Sequence, residues 1–326
     1  MLLKPLILLK KTAPTLIGFG LIYLSFLNIT EVEKQTIWNN ILSANLFWVL
    51  VSLIIGILSH VSRAYRWIFL LKPLNYTPKL AVSFRAVMIG YFINLGLPRS
   101  GEVARAMTLS RYKNAPSFQK IFGTIITERI IDLILLFIVV GITCLSNTNI
   151  FLTYFKDFNV SWLQWSIAAC GIIFVYLTGS YLLKFSKNSW ILKIKNFFRE
   201  VISAMLSIFK IESGLYFIAH TLFIWISYIA MFAIITYSLN PVPDIPWPAI
   251  ALGFIAGSFA MSASSGGIGA FPIAIAAAFA LYDIETTIGL AFGWIMWTSQ
   301  TLMNIIIGGS ALLYESLIKK QKNDKF

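Results

Sequence analysis

NLGLPRSGEVARAM, residues 94–107, places a proline, two glycines, two arginines and a glutamate inside a chain that is otherwise nearly continuous apolar sequence. With 326 residues, 58% hydrophobic and 12% charged, the chain lies far from the composition of soluble domains, where charged residues approach about a quarter. It reads as an integral membrane protein. Lys and Arg gather in the cytoplasmic loops of such proteins. Lys72 and Lys79 precede the quoted stretch, and Arg111, Lys113 and Lys120 follow it. Both flanks therefore belong on the cytoplasmic side, and the segment between them does not cross once. Residues 80–97 form an apolar arm with Arg85 near its start, NLGLPRSG is a break, and residues 102–110 form a short polar helix. The economical arrangement is a re-entrant hairpin that turns at the break. Irregular backbone at membrane depth is tolerated only inside protein or beside a water-filled cavity, so the hairpin belongs within the bundle.

Working outward, apolar runs long enough to cross about 30 Å of hydrocarbon occur near residues 14–29, 45–59, 122–145, 163–183, 215–239 and 287–314. Residues 248–281 contain a second interrupted run, broken at SASSGGIGAFP. Asp244 precedes it and Asp283 and Glu285 follow it, in loops poor in Lys and Arg, so this hairpin enters from the outer side. Its glycines allow backbone amides to point at a ligand. The chain then divides into two halves with one pattern of span, span, hairpin, span. The first covers residues 1–145 and the second 161–314, with a cytoplasmic tail at 315–326. Three crossings per half invert the second half relative to the first, the ground plan of many transporters. The fold class is all-α: a single integral membrane domain, a polytopic transmembrane bundle of two inverted halves, each carrying a re-entrant helical hairpin. Both termini are expected in the cytoplasm, with the chain in the plasma (inner) membrane. Lys4, Lys10 and Lys11 precede the first run, but no small-residue cleavage site follows it, so a retained first helix is expected.

A charge at bilayer depth costs a few kcal/mol even on lenient scales. Arg85, Arg99, Glu102, Arg105, Glu128, Arg129 and Asp132 must therefore pair or line water. Helical spacing offers Glu102 with Arg105 and Arg129 with Asp132 at i, i+3, and puts Glu128 and Asp132 on one face at i, i+4. The arginine fork suits phosphate oxygens, and the start of the Glu102 helix adds amide donors. A lipid phosphate held there and a purely structural lock are both compatible with this pattern. Arg63 and Arg66 stand at the end of a span, where positive-inside anchoring is the ordinary explanation and headgroup contact the alternative. The net charge of +13 follows from the same rule and does not call for nucleic acid.

Residues 184–210 repeat apolar positions at helical spacing beside a basic face and read as an amphipathic interfacial helix. Trp38, Trp48, Trp162, Trp165 and Trp247 lie near span ends as interfacial belts. Cys144 and Cys170 both fall within spans, so neither a disulfide framework nor a cysteine metal site is expected. His60 and His220 lack metal-ligand spacing and read as packed or hydrogen-bonded. No G-K-[ST] follows the glycines, so no P-loop is present, and Ser264 and Ser265 lack the setting of a nucleophile elbow. No cofactor is implied.

PRSGEVARA (98–106), AYRW (64–67), TERIID (127–132) and SGGIGAF (265–271) resemble the flippase-like transmembrane family related to the membrane part of lysylphosphatidylglycerol synthase. The similarity covers nearly the whole chain. The family's proline with R-x-G-E-x-x-R, and its E-R-x-x-D, fall on Pro98, Arg99, Gly101, Glu102, Arg105, Glu128, Arg129 and Asp132. Its P-x-x-G-G-x-G element is matched only in part: Ser265, Gly266, Gly267 and Gly269 lack the preceding proline, and Pro272 stands where an acid is often found. The resemblance implies a translocating module without the soluble aminoacyl-transferase domain, so no enzyme activity is expected. The expected function is movement of an anionic or phosphate-bearing lipid between leaflets. The alternatives are a membrane-embedded lipid-modifying enzyme using Glu102, Glu128 or Asp132, and a non-transporting membrane partner subunit. Candidate substrate-binding residues are those named above together with Arg63, Arg66 and Asn94, and no metal ligand is among them. Anionic membrane lipids are the expected partners, with a homo-oligomer or a lipid-synthesis enzyme left open.

Overall fold

The computed structural model describes residues 30–97, 99–146, 214–264 and 266–323, together with Thr148, Asn196, Arg199 and Ser203. The expected spans at 14–29 and 163–183, the rest of the segment 184–210, Pro98 and Ser265 lie outside the described residues. The described residues form helices and turns, with no strand among them. Helix α1 (Glu31–Leu42) opens on a capping box in which the Glu33 amide donates to Thr30 Oγ1 and the Thr30 amide to Glu33 Oε2. Helix α2 (Leu46–Leu71) starts where the Phe47 amide donates to Asn45 Oδ1 at 3.0 Å. Helices α3 (Leu80–Gly96), α4 (Gly101–Ser110) and α5 (Phe118–Ser146) follow, then α6 (Gly214–Ile234) with a 3₁₀ turn at Ile235–Ser238, and α7 (Trp247–Ala263), α8 (Ala270–Ala280) and α9 (Thr286–Asn323).

Three described segments are long and apolar enough to cross a membrane: Leu46–Leu74, Gly214–Ser238 and Thr286–Leu317. Both interrupted regions form helical hairpins, α3–α4 and α7–α8, broken where the sequence places glycine beside polar residues. At 1.5 Å per residue, the 17 residues of α3 reach about 25 Å and the 10 residues of α4 about 15 Å, short of the roughly 30 Å core. Helix α2 runs well past the expected end at residue 59, because SRAYRWIFLL continues its buried face through Arg63, Arg66, Trp67 and Leu70. The last helix likewise continues through Asn323 rather than ending at residue 314.

Packing follows the small residues. Helix α2 lies along α6 with Ser52 Oγ donating to the Met231 carbonyl at 2.8 Å. Gly308 of α9 brings its backbone so close to α3 that a Cβ there would sit 2.5 Å from the Met88 carbonyl oxygen. Such close approach is how membrane helices gain packing without a hydrophobic drive between them. One apolar cluster joins α2 to α5 around Trp67, Leu70, Leu109 and Ile121. A second joins α6 to α9 with Ile37 of α1 and Val49 of α2, and in it Phe292 meets Phe232 and Phe279 at steep ring angles with centroids at 4.8 and 5.3 Å.

Candidate functional site

Three helices bring seven charges together. Arg63 and Arg66 come one turn apart on α2, Glu102 and Arg105 one turn apart on α4, and Glu128, Arg129 and Asp132 within one turn on α5. Glu128 is 0% exposed and takes three guanidiniums: Arg63 at 3.0 Å and Arg66 at 3.1 Å on Oε1, and Arg105 at 2.9 Å on Oε2. Asp132 takes Arg66 on Oδ1 at 2.9 Å and Arg63 on Oδ2 at 3.1 Å. The other pair lies at the edge, with Arg129 meeting Glu102 at 3.2 Å and Asp132 only at 3.7 Å.

Two expectations are corrected here. Arg63 and Arg66 are not interfacial anchors, because α2 continues past them and α5 faces them with carboxylates; they are 3% and 0% exposed. Glu102 and Arg105 do not pair within α4. Arg105 turns inward to Glu128 while Glu102 turns to Arg129, since partners on the neighbouring helix satisfy both charges inside the packed interface.

Aromatic and hydroxyl groups complete the shell. The Arg105 guanidinium stacks over Trp67 at 3.8 Å from the ring centroid, and Trp67 Nε1 donates to Thr124 Oγ1 at 3.0 Å. Arg66 also donates to Thr221 Oγ1 of α6 at 3.2 Å. Tyr91 and Tyr228 share a hydrogen bond of 3.3 Å beside Arg63. His220 shares one of 2.8 Å with Ser62, and His60 packs on Tyr91. Four guanidiniums face three carboxylates, leaving one positive charge in excess. Among the described residues, Nε of Arg63, Arg66 and Arg105 makes no hydrogen bond, and Glu128 Oε1 meets Arg63 and Arg66 as ion pairs without a well-directed hydrogen bond. Donors thus outnumber acceptors, an unusual state for buried polar groups.

The break itself is built around two glycines. A Cβ on Gly101 would overlap the Gly90 carbonyl oxygen, and one on Gly90 would lie 2.9 Å from the Gly101 oxygen. The arms of the first hairpin therefore cross backbone to backbone, and Asn94 Oδ1 accepts from the Gly101 amide at 2.7 Å. Arg99 stands at the tip with φ +60° and donates to the Ser262 carbonyl of the second hairpin at 3.3 Å. Gly266, Gly267 and Gly269 form the second tip at φ +60°, +79° and +71°. Trp297 Nε1 donates to the Gly266 carbonyl at 2.7 Å. The tips meet through Arg99, but no hydrogen bond among the described residues joins the three glycines to the buried charges.

Sequence reasoning passed over Trp67 as a charge partner, and Thr221, Tyr91, Tyr228 and Glu315 altogether. Trp67 gave no signal of this role, because the Arg105 it meets lies on another helix. Glu315 was accessible from charge parity. Arg85 is the one charge in α3, Glu315 the one charge in α9 before Lys319, and they pair at 2.7 Å with Tyr112 donating to the same oxygen at 2.5 Å. Thr221 and the tyrosines gave no signal, since their partners lie more than 130 positions away in the chain.

The fold and buried charges define a multi-pass helical membrane protein with a polar centre at a broken helix. The chain belongs to the family described as the lysylphosphatidylglycerol synthase TM region, which it matches over residues 11–308. It is also 30% identical over 117 residues to the UPF0104 membrane protein MJ1595 of Methanocaldococcus jannaschii, covering 35% of this chain and 33% of that protein. The chain thus matches about a third of the length of that relative. No solved structure matches the chain.

Proposed function

We propose that the chain moves a phosphate-bearing lipid between the leaflets of the plasma membrane without altering it chemically. The observation that carries this reading is the donor surplus in the buried network, where four guanidiniums share three carboxylates beside a helix break and three Nε–H groups make no hydrogen bond. A phosphate oxygen is the acceptor such forks suit best. The adjoining cavity is lined by Arg63, Arg105, Arg129, Asn94 and Glu102 among others, so three guanidiniums and one carboxylate face it. That favours anion binding over acid–base chemistry on a lipid.

The reading takes both hairpins as re-entrant from opposite faces, residues 1–145 and 161–314 as inverted halves, and both termini as cytoplasmic. A cysteine introduced at Asn114 is then labelled only from the cytoplasmic side. Labelling from outside would mean that α3 spans and that the inverted arrangement is wrong.

A purely bracing network is the second reading, favoured by the size of the cavity, about 20 Å³, which is room for about one water. Under the transport reading this conformation is a closed one. Proteoliposomes holding labelled phosphatidylglycerol separate the two, with a membrane-impermeant reagent reporting leaflet accessibility for the parent, Arg99→Ala and Glu102→Ala. The parent is expected to exchange the lipid faster than protein-free vesicles and both variants more slowly than the parent. Equal exchange by all three removes the site, no exchange by the parent removes translocation, and a chemically altered lipid would replace transport with an enzyme.

A further inference from the structure

Arg129 differs from the other three arginines of the network. It is half-exposed, with 44% of its side chain open against 4% or less for the others, and it has one close carboxylate contact, to Glu102 at 3.2 Å, with Asp132 only at 3.7 Å. Arg129 and Glu102 also line two spaces at once. On the inner side is the small cavity beside Arg63, Arg105 and Asn94. On the outer side is an open groove of about 190 Å³, walled by Phe122, Ile125, Ile126, Ile130 and Leu133, with no charged group other than this pair. An engineered core cavity of about 150 Å³ accepts benzene, so the groove has room for a stretch of hydrocarbon.

We infer that this groove is a lateral entry site for one phospholipid. An acyl chain lies along α5, and the phosphate displaces the Glu102 carboxylate from Arg129 on its way to the buried arginines. The inference rests on the lipid-moving reading and assigns separate tasks within the network. Arg63, Arg66 and Arg105, caged by Glu128 and Asp132, hold the fold and the inner charge, while the Arg129–Glu102 pair is the exchangeable partition. Charge complementarity selects the occupant. An apolar slot ending in a loosely held guanidinium, next to a network with a positive excess, suits a chain with an anionic head. A neutral diacylglycerol gains the slot but not the head contact.

The test uses the full chain in phosphatidylcholine nanodiscs and phosphatidylglycerol with a photoreactive acyl chain, with cross-links mapped by mass spectrometry. The parent is expected to be labelled between Phe122 and Leu133. Arg129→Gln should weaken half-saturation by about tenfold, the usual scale for losing a charge-assisted bond. Glu102→Gln, which frees Arg129, should tighten it. Photoreactive diacylglycerol of the same chain should label more weakly in the parent and respond to neither variant. Should Arg129→Gln fail to fold, Leu133→Trp fills the groove from its exposed wall and should remove labelling by both lipids. Equal labelling by the two lipids in the parent, labelling elsewhere, or full displacement of the lipid by soluble glycerol phosphate at equal concentration would overturn the inference. Labelling as expected without lipid exchange in proteoliposomes would retire transport and leave the binding site standing. Exchange without groove labelling would do the reverse.

Discussion

Hairpin α3–α4 carries Arg85, Arg99, Glu102 and Arg105, and its inner charges meet charged partners on α5 and α9. Hairpin α7–α8 has no charged residue between Trp247 and Ala280, and packs mainly by close approach, with Arg99 and Trp297 donating to its Ser262 and Gly266 carbonyls. A Cβ on Gly253 would lie 2.7 Å from the Phe279 ring and one on Gly257 2.7 Å from the Phe271 ring, while Gly289 of α9 would meet Ala276 at 2.6 Å. The difference teaches why the first hairpin needs neighbours with carboxylates and the second needs only neighbours without side chains. A broken helix inside a bundle can be anchored by charge, which fixes its position through a few costly groups, or by close approach, which spreads the same task over many weak contacts.

The largest effect that would break this contrast is at Glu128. Glu128→Gln keeps the volume but leaves Arg63, Arg66 and Arg105 short of their shared partner, and removing one member of a buried ionic network costs about 3–5 kcal/mol. The matched change in the second hairpin, Ser258→Ala, removes a 2.7 Å bond from its hydroxyl to the Phe254 carbonyl, worth at most about 1 kcal/mol because the bond is internal to the helix. Reversible unfolding in detergent micelles measures both. Comparable losses from the two would mean that charge does not anchor the first hairpin.

The next effect sharpens what the hairpins share. A Cβ on Gly101 overlaps the Gly90 oxygen and lies 2.6 Å from the Asn94 amide, and a Cβ on Gly293 overlaps Pro272 Cα. Backbone is the obstacle in both cases, so relief requires the helices to part. Gly101→Ala and Gly293→Ala should each cost about 1–3 kcal/mol as overpacking, although Gly→Ala in an open helix gains up to about 1 kcal/mol. A gain at either position, read from the same unfolding curves, would show that the helices there are not in the close contact described.

The two hairpins were legible to different degrees. Gly101, Glu102 and Arg105 mark the start of α4 by residue type, and the glycines and proline mark the break before it, so both helical arms of the first hairpin fall where expected. The destination of each charge was not legible. Spacing along one helix pairs Glu102 with Arg105 and leaves Arg63 at an interface. Only the packing of α2 and α4 against α5 shows that Glu128 reaches across to three arginines on two other helices. One-dimensional spacing holds intrahelical neighbours and contains nothing about which faces meet. The continuation of α2 beyond residue 59 was obscured for a related reason. Arg63 and Arg66 lower the hydropathy of a stretch that is buried because its charges are neutralised from another helix.

The smallest effect lies at the two tips, which form a matched pair. Arg99 and Gly266 both have φ +60°, a conformation that costs an L-residue about 1–2 kcal/mol and costs glycine little. A Cβ on Gly266 meets only Leu95, its Cδ2 at 3.5 Å and Cα at 3.7 Å, ordinary contacts, so the cost of Gly266→Ala is conformational, about 1 kcal/mol. Arg99→Gly should recover a similar amount, since the 3.3 Å bond to the Ser262 carbonyl that it gives up is exposed and worth little. Arg99→Ala keeps the strained backbone and loses the same bond, so it separates conformation from contact: Arg99→Gly should be the more stable by about 1 kcal/mol. Equal stability of the two would mean that the first tip is unstrained and that the tips differ only in charge. Strain retained at a site usually accompanies function. Under the proposed reading, Arg99→Gly therefore combines the higher unfolding midpoint with the slower lipid exchange, and a variant that gained both would assign the left-handed arginine no part in transport.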